Sequence, residues 1–86
     1  MEKETLKKEL ELKFKPVNET FNIDDTDYKE VIKLNDDNVE ITCTSKIDEK
    51  YTQTRTLSYD VANARIVEDV IFLIKESLNI ARILKI

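Results

Sequence analysis

The chain contains no histidine, no glycine and no tryptophan, and it contains one cysteine. Without histidine the most common general base is missing, and neither a Cys–His nor a Ser–His pair can be assembled. Without glycine there is no glycine-rich loop in which bare backbone can approach a phosphate. We therefore expect a protein that is not an enzyme and that uses no cofactor.

The chain has too few cysteines for a disulfide and no long apolar run, and both features indicate the cellular compartment in which we expect the protein. Cys43 is the only cysteine, so no intramolecular disulfide can form, and the charged N-terminal segment lacks the apolar stretch of a signal peptide. No run of about 18 apolar residues is present to span a membrane. These features predict a cytoplasmic protein in a reducing compartment, without membrane contact.

The length and composition predict one globular domain over residues 1–86. Apolar residues make up 41% of the chain and charged residues 37%, which is the composition of a highly charged folded domain and not of a disordered one. Because glycine is absent, we expect asparagine or aspartate wherever a turn requires a positive φ.

Three segments in the middle of the chain have the features of strands. Residues 28–34, 39–46 and 51–59 are joined by short polar turns, which predicts an antiparallel meander. In the second segment Val39, Ile41 and Cys43 alternate with polar residues, so we expect Cys43 to be a buried and inert thiol. The threonines of the last two segments are expected on the solvent face. Residues 17–27 are rich in turn-forming residues and predict a long loop.

The last segment, residues 60–86, predicts a long amphipathic helix that packs on one face of the sheet, with Asp60 as its N-cap. Its end either continues as helix with a second apolar face or breaks near residues 77–79. Residues 1–15 fit a helix over 3–10 or a strand over 9–15, and we prefer the helix. The predicted fold is α+β: a small antiparallel sheet of three, possibly four, strands packed by a long C-terminal helix, with a short N-terminal helix or strand.

Negative charge is concentrated in the middle third of the chain. The net charge is −4, and residues 21–50 carry nine acidic and four basic residues. This balance disfavours binding to nucleic-acid phosphates and permits a basic protein partner. Neither acidic cluster has the ligand spacing of an EF-hand, so no metal site is predicted. The alternative to a binding surface is an ordinary solvated one. The predicted partner-binding residues are Asp24, Asp25, Asp27, Glu30, Asp36, Asp37, Glu40, Asp48 and Glu49.

The C-terminal helix carries more apolar residues than one small sheet can cover. Exposed apolar patches of this kind mark interfaces, and a homodimer is the commonest solution. The alternative is that Leu6, Leu10 and Phe14 cover the excess within one chain. The residues predicted for an oligomer interface are Phe72, Ile80, Ile83, Leu84 and Ile86.

In its small size, its acidity and its short sheet between helices, the chain resembles small phage-encoded inhibitors of bacterial defence nucleases, such as anti-CRISPR proteins. The resemblance is one of outline and assigns no residue roles. It implies a viral or mobile-element inhibitor that blocks a basic nucleic-acid-binding partner. The alternative function is a structural or assembly subunit that forms homo-oligomers through its C-terminal helix.

Overall fold

Two helices and a five-stranded antiparallel sheet make up residues 2–85, which are the residues described by the computed structural model. The elements are α1 (Lys3–Glu11), β1 (Pro16–Val17), β2 (Thr20–Asp24), β3 (Tyr28–Leu34), β4 (Asn38–Ser45), β5 (Thr52–Ser58) and α2 (Ala64–Leu84). Each strand pairs with the next one along the chain, so the sheet is a meander of order β1-β2-β3-β4-β5. The α+β prediction and the N-terminal helix are confirmed, whereas the prediction of three or four strands is wrong.

The additional strands lie in the segment that was predicted as a loop. In β2, Phe21 is fully buried, Asn22 is exposed and Ile23 is half-buried, which is the alternation of a strand. The strand alternation of β2 extends over only five residues, and the turn-forming residues on either side of it favour a loop. The β1–β2 hairpin closes through Asn18 and Glu19, whose φ angles of 52° and 59° are both positive, as a type I′ turn requires.

Within residues 2–85, three residues have a positive φ angle, and the expectation of asparagine or aspartate holds at one of them. Asn18 meets it, but Glu19 and Lys85 also take a positive φ. A non-glycine residue pays about 1–2 kcal/mol for this conformation. At Glu19 an ion pair with Lys3 at 3.1 Å accompanies the turn, and at Lys85 the residue ends α2, where a left-handed cap is common.

One face of the sheet forms the core, and both helices contribute to it. Val39, Ile41 and Cys43 of β4 point into the core, as their alternation predicted. Helix α2 packs across β4 and β5. Leu6 and Leu10 of α1 are completely buried in the same cluster. The other face of the sheet carries the predicted threonine surface, where the hydroxyl oxygens of Thr42 and Thr54 lie 2.8 Å apart, as do those of Thr44 and Thr52.

Helix α2 begins later than predicted and does not break. Its N-cap is Asn63, not Asp60, and the Asn63 side chain accepts a hydrogen bond from the Ile66 amide at 2.9 Å. The Glu9 carboxylate of α1 accepts a second one from the Ala64 amide at 2.9 Å. The two bonds satisfy amides that a helix start leaves without partners, and the second ties α1 to α2.

Candidate protein-binding site

An ionic cluster with one buried member, Glu30, and two partly exposed members, Lys75 and Asp25, joins α2 to the sheet. Lys75 of α2 places its Nζ 2.5 Å from Asp25 Oδ2 and forms an ion pair with Glu30 Oε1. Glu30 occupies an inward position of β3, opposite Cys43 of β4, and only 2% of it is exposed. The Tyr28 hydroxyl donates to the Lys75 carbonyl at 3.4 Å, so the same turn of α2 is also held through its backbone.

The pKa values in this cluster follow from burial and from Lys75. Burial raises the pKa of Glu30, and the Lys75 ammonium opposes this only in part. Burial acts in the same direction on Asp25, but hydrogen bonds from Lys75 and from the amides of Tyr28 and Asp27 lower its pKa to about 2. Burial would lower the pKa of Lys75, yet its two carboxylate partners raise it. Lys75 therefore remains an ammonium at neutral pH, and its amine is not available as a nucleophile.

Next to this cluster a cleft of about 280 Å³ opens between α2 and the turns at one end of the sheet. Phe72 lies on the helix wall and Ile47 on the β4–β5 turn, and they are 61% and 65% exposed. Tyr28 and Lys75 contribute to the lining from the sheet and from the helix. The cleft thus combines two large apolar side chains, both open to solvent, with a polar interior.

The free charges of the cleft are mainly acidic. The side chains of Asp27 and Glu76 are exposed and form no ion pair with any other residue of 2–85. Arg82 donates to the Asn79 side chain at 2.9 Å, and Lys75 is already engaged by two carboxylates. Within residues 2–85, the cleft therefore has two carboxylates without an ion pair, Asp27 and Glu76, against one such cation, Arg82, and this balance favours a positively charged ligand.

The structure places the predicted acidic residues at several separate positions. The β2–β3 and β4–β5 turns share one end of the meander, where the Lys46 amide donates to the Asp27 carbonyl at 2.9 Å. The β3–β4 turn lies at the opposite end. The first end holds Asp24, Asp25, Asp27, Asp48 and Glu49, the opposite end holds Asp36 and Asp37, Glu40 lies on the threonine face, and Glu30 is buried. The structure therefore brings together five of the nine residues and separates the others from them.

Several of these carboxylates already have a cation. Asp24 pairs with Lys46 at 2.5 Å, and Asp48 lies 3.9 Å from Lys50. At the opposite end Asp36 lies 3.8 Å from Lys3. Asp27 is the predicted partner-binding residue that lines the cleft and forms no ion pair with another described residue. Partner binding by the acidic set stays a prediction, and Asp27 is its best-placed member.

The residues predicted for an oligomer interface fall on different sides of α2. Phe72, Ile80, Ile83 and Leu84 are between 54% and 67% exposed. At about 100° per residue, Ile80 and Leu84 share one side of the helix, whereas Phe72 and Ile83 lie toward the cleft side. Ile86 lies outside the described residues. The alternative in which Leu6, Leu10 and Phe14 cover this tail is wrong: Leu6 and Leu10 are buried in the main core, Phe14 packs against that core, and the described residues of the tail stay exposed.

Sequence reasoning did not single out Lys75, Glu76 or Ile47. One signal was available: Glu30 stands at an inward position of β3, in alternation with Ile32 and Leu34, and a buried carboxylate requires a cation. The pattern could not say which cation, because Lys75 follows much later in the chain and appears polar on a helical wheel.

Comparisons with known proteins add no assignment. No protein-family model, no curated protein and no solved structure matches the chain. Within residues 2–85, neither helix is long and apolar enough to cross a membrane, and no three His, Cys, Asp or Glu side chains are grouped as metal ligands. A function can therefore be inferred only from the cleft, its charges and the exposed apolar residues.

Proposed function

We propose that the protein is a non-enzymatic protein-binding module that holds a basic segment of a partner protein in the cleft beside α2. One observation carries this proposal: the free carboxylates of Asp27 and Glu76 stand next to the exposed side chains of Ile47 and Phe72. Lysine and arginine combine an apolar stem with a charged head. Such a side chain can place its stem between the two apolar residues and its charge against the two carboxylates.

The same contact provides a route to inhibition. Lysine and arginine residues that bind nucleic acid do so through phosphates, and most of the affinity is electrostatic. A carboxylate that occupies such a residue competes with the phosphate for it. If the basic segment of the partner is its nucleic-acid-binding surface, the protein acts as an inhibitor of that partner.

The test compares proteins captured from the source cells by tagged wild type and by two charge-reversed variants. Asp27→Lys places a cation in the cleft, and Asp37→Lys makes the same change at the opposite end of the sheet. Both side chains are exposed and free of ion pairs within residues 2–85, so both variants should fold, which circular dichroism verifies.

We expect one basic protein to be captured by wild type and by Asp37→Lys, and to be bound about tenfold or more weakly by Asp27→Lys, a difference of about 1.4 kcal/mol. Equal capture by all three proteins would show that the cleft does not bind the partner. Equal loss in both variants would show that net charge alone, and not the cleft, determines capture.

A further inference from the structure

Helix α2 has a second apolar stripe, separate from the residues that it buries against the sheet. The stripe positions follow one another at intervals of four, three, four, three and four residues, which is the spacing of a coiled-coil seam. At about 100° per residue the stripe is centred about 120° round the helix from the buried side. It consists of Ile66, Val70, Leu73, Ser77, Ile80 and Leu84.

The C-terminal half of the stripe is open. Leu73, Ile80 and Leu84 are 57%, 54% and 62% exposed, while Ile66 and Val70 are half-buried. No other element formed by residues 2–85 lies over it, since α1 packs into the main core. The stripe extends over five turns of helix, about 27 Å at 1.5 Å per residue. A surface of this length and spacing fits another helix.

The charges beside the stripe are acidic on its solvent flank. Asp69 and Glu76 immediately precede Val70 and Ser77, so they occupy equivalent flanking positions seven residues apart. Both are exposed, and neither forms an ion pair in the described part of the chain. The third position of this flank is Ile83, and the opposite flank consists of apolar residues that turn toward the core. Arg65 precedes Ile66 at the N-terminal end of the stripe, whereas the flanking heptad positions from Val67 to Ile83 contain two carboxylates and no cation.

A second copy of α2 is a poor occupant for this reason. It would bring an identical stripe, without a lysine or arginine to meet Asp69 or Glu76. In the antiparallel register that pairs all six stripe positions, the two-fold axis passes beside residue 75. Glu76 would then lie next to Glu76 of the second copy, and like charges at such flanking positions destabilise a helix pair.

We propose that this stripe binds an amphipathic helix of a partner protein, whose own apolar heptads are flanked by lysine or arginine. The apolar residues supply the contact, and the carboxylates of Asp69 and Glu76 select the charge of the partner helix. Glu76 borders both the cleft and the stripe, but the inference needs neither Asp27 nor Ile47, which belong to the turns at the end of the sheet.

The test measures the binding of two synthetic helical peptides of three heptads with the same apolar residues, one with lysine and the other with glutamate at the flanking positions. Fluorescence anisotropy at low salt gives the affinities, and sedimentation velocity gives the mass of the protein alone. We expect the lysine peptide to bind at least tenfold more tightly. The double variant Leu73→Gln with Ile80→Gln should lose at least tenfold in affinity, and Asp69→Lys with Glu76→Lys should reverse the preference.

Asp37→Lys is the matched control: it makes the same change of charge in the β3–β4 turn, outside the cleft and outside α2, and should leave peptide binding unchanged, so that a general effect of net charge can be told apart from a loss at the stripe. Equal affinity for both peptides, or no binding to either, would overturn the proposal. A protein mass of two chains that falls to one chain in Leu73→Gln with Ile80→Gln would also overturn it, because the occupant would then be a second copy.

Discussion

Replacing Lys75 with methionine tests the ionic cluster directly. Methionine keeps a long unbranched side chain, so the packing along α2 is largely retained while the charge is removed. Among residues 2–85, Lys75 is the one cation within salt-bridge distance of Glu30. The second carboxylate oxygen, Glu30 Oε2, has no hydrogen-bond partner in the described part of the chain. Only 2% of Glu30 is exposed, so in the variant its carboxylate would be buried in the core without a counter-charge.

The size of the loss has two bounds. Removing one partner of a buried ion pair typically costs about 3–5 kcal/mol. Glu30 can avoid this cost by taking up a proton. Protonating a carboxyl group of ordinary pKa 4.5 at pH 7 costs about 3.4 kcal/mol, because each pH unit above the pKa corresponds to about 1.36 kcal/mol. The Asp25 side chain is 39% exposed, so its lost ion pair adds at most about 1 kcal/mol. We expect a loss of about 3–4 kcal/mol, from a total of about 4–13 kcal/mol for a domain of this length.

The loss should depend on pH. A carboxyl group whose folded pKa is raised, such as Glu30, favours the folded state below its ordinary pKa of 4.5, and this advantage disappears as pH rises through the folded pKa. Protonating Glu30 in the variant costs only about 0.8 kcal/mol at pH 5. Asp25 has a lowered pKa of about 2 against an ordinary value of 3.8. Its stabilising effect is present above 3.8 and disappears as pH falls toward 2, so it changes little between pH 7 and pH 5.

Urea unfolding at pH 7 and pH 5, followed by circular dichroism, gives the free energies. We expect the loss in Lys75→Met to fall from about 3–4 kcal/mol at pH 7 to about 1–2 kcal/mol at pH 5. The matched control is Glu30→Gln with Lys75→Met, which removes the buried charge together with its partner and should recover most of the stability at pH 7. A loss below about 1 kcal/mol at pH 7, or the same loss at both pH values, would show that Lys75 does not neutralise a buried Glu30 carboxylate.

Two further predictions concern the cap of α2 and the buried thiol. Asn63→Ala should lower the free energy of unfolding by about 1 kcal/mol, because it removes the side-chain acceptor for the Ile66 amide. The control Asp60→Ala should change the free energy of unfolding by less than about 0.5 kcal/mol. Equal losses in the two urea titrations would contradict the assignment of Asn63 as the N-cap. Cys43 is fully buried, and burial raises the pKa of its thiol to about 12. A thiol reagent at pH 8 should therefore label Cys43 in urea but not in the folded protein. Rapid labelling without urea would contradict the burial of Cys43.

The elements that could be predicted from the sequence are those whose apolar and polar residues follow a single period, either that of a strand or that of a helix. Strand β4 alternates apolar and polar residues over its whole length, and its inward residues Val39, Ile41 and Cys43 are all buried. The middle of α2 follows the helical period, and Val67, Ile71, Ile74 and Leu78 face the core. In both elements one side is buried and the other is solvated, so the sequence pattern and the packing coincide.

The parts that sequence reasoning did not predict depend on which residues meet across the fold. Residues Asp60 and Asn63 are both good N-caps by type, and only the path of the chain after β5 decides between them. Lys75 and Glu30 are both charged, which suggests solvent exposure until the helix is placed against β3. For the candidate site, the acidic character of Asp27 was recognised, but its neighbours Ile47 and Glu76 belong to other elements. Their proximity is a property of the tertiary fold.

The order of the elements along the chain also governs how the protein can be synthesised and folded. The meander needs only pairing between consecutive strands, so it can begin to form while the ribosome is still translating. Helix α1 covers part of its apolar face through Leu6 and Leu10, and the rest is closed by α2, which follows all five strands. Until that helix emerges, Phe21, Ile32 and Ile41 remain on an incompletely covered sheet. A chain interrupted before residue 64 would keep that apolar surface exposed, and exposed apolar surface of this kind makes incomplete chains prone to aggregate.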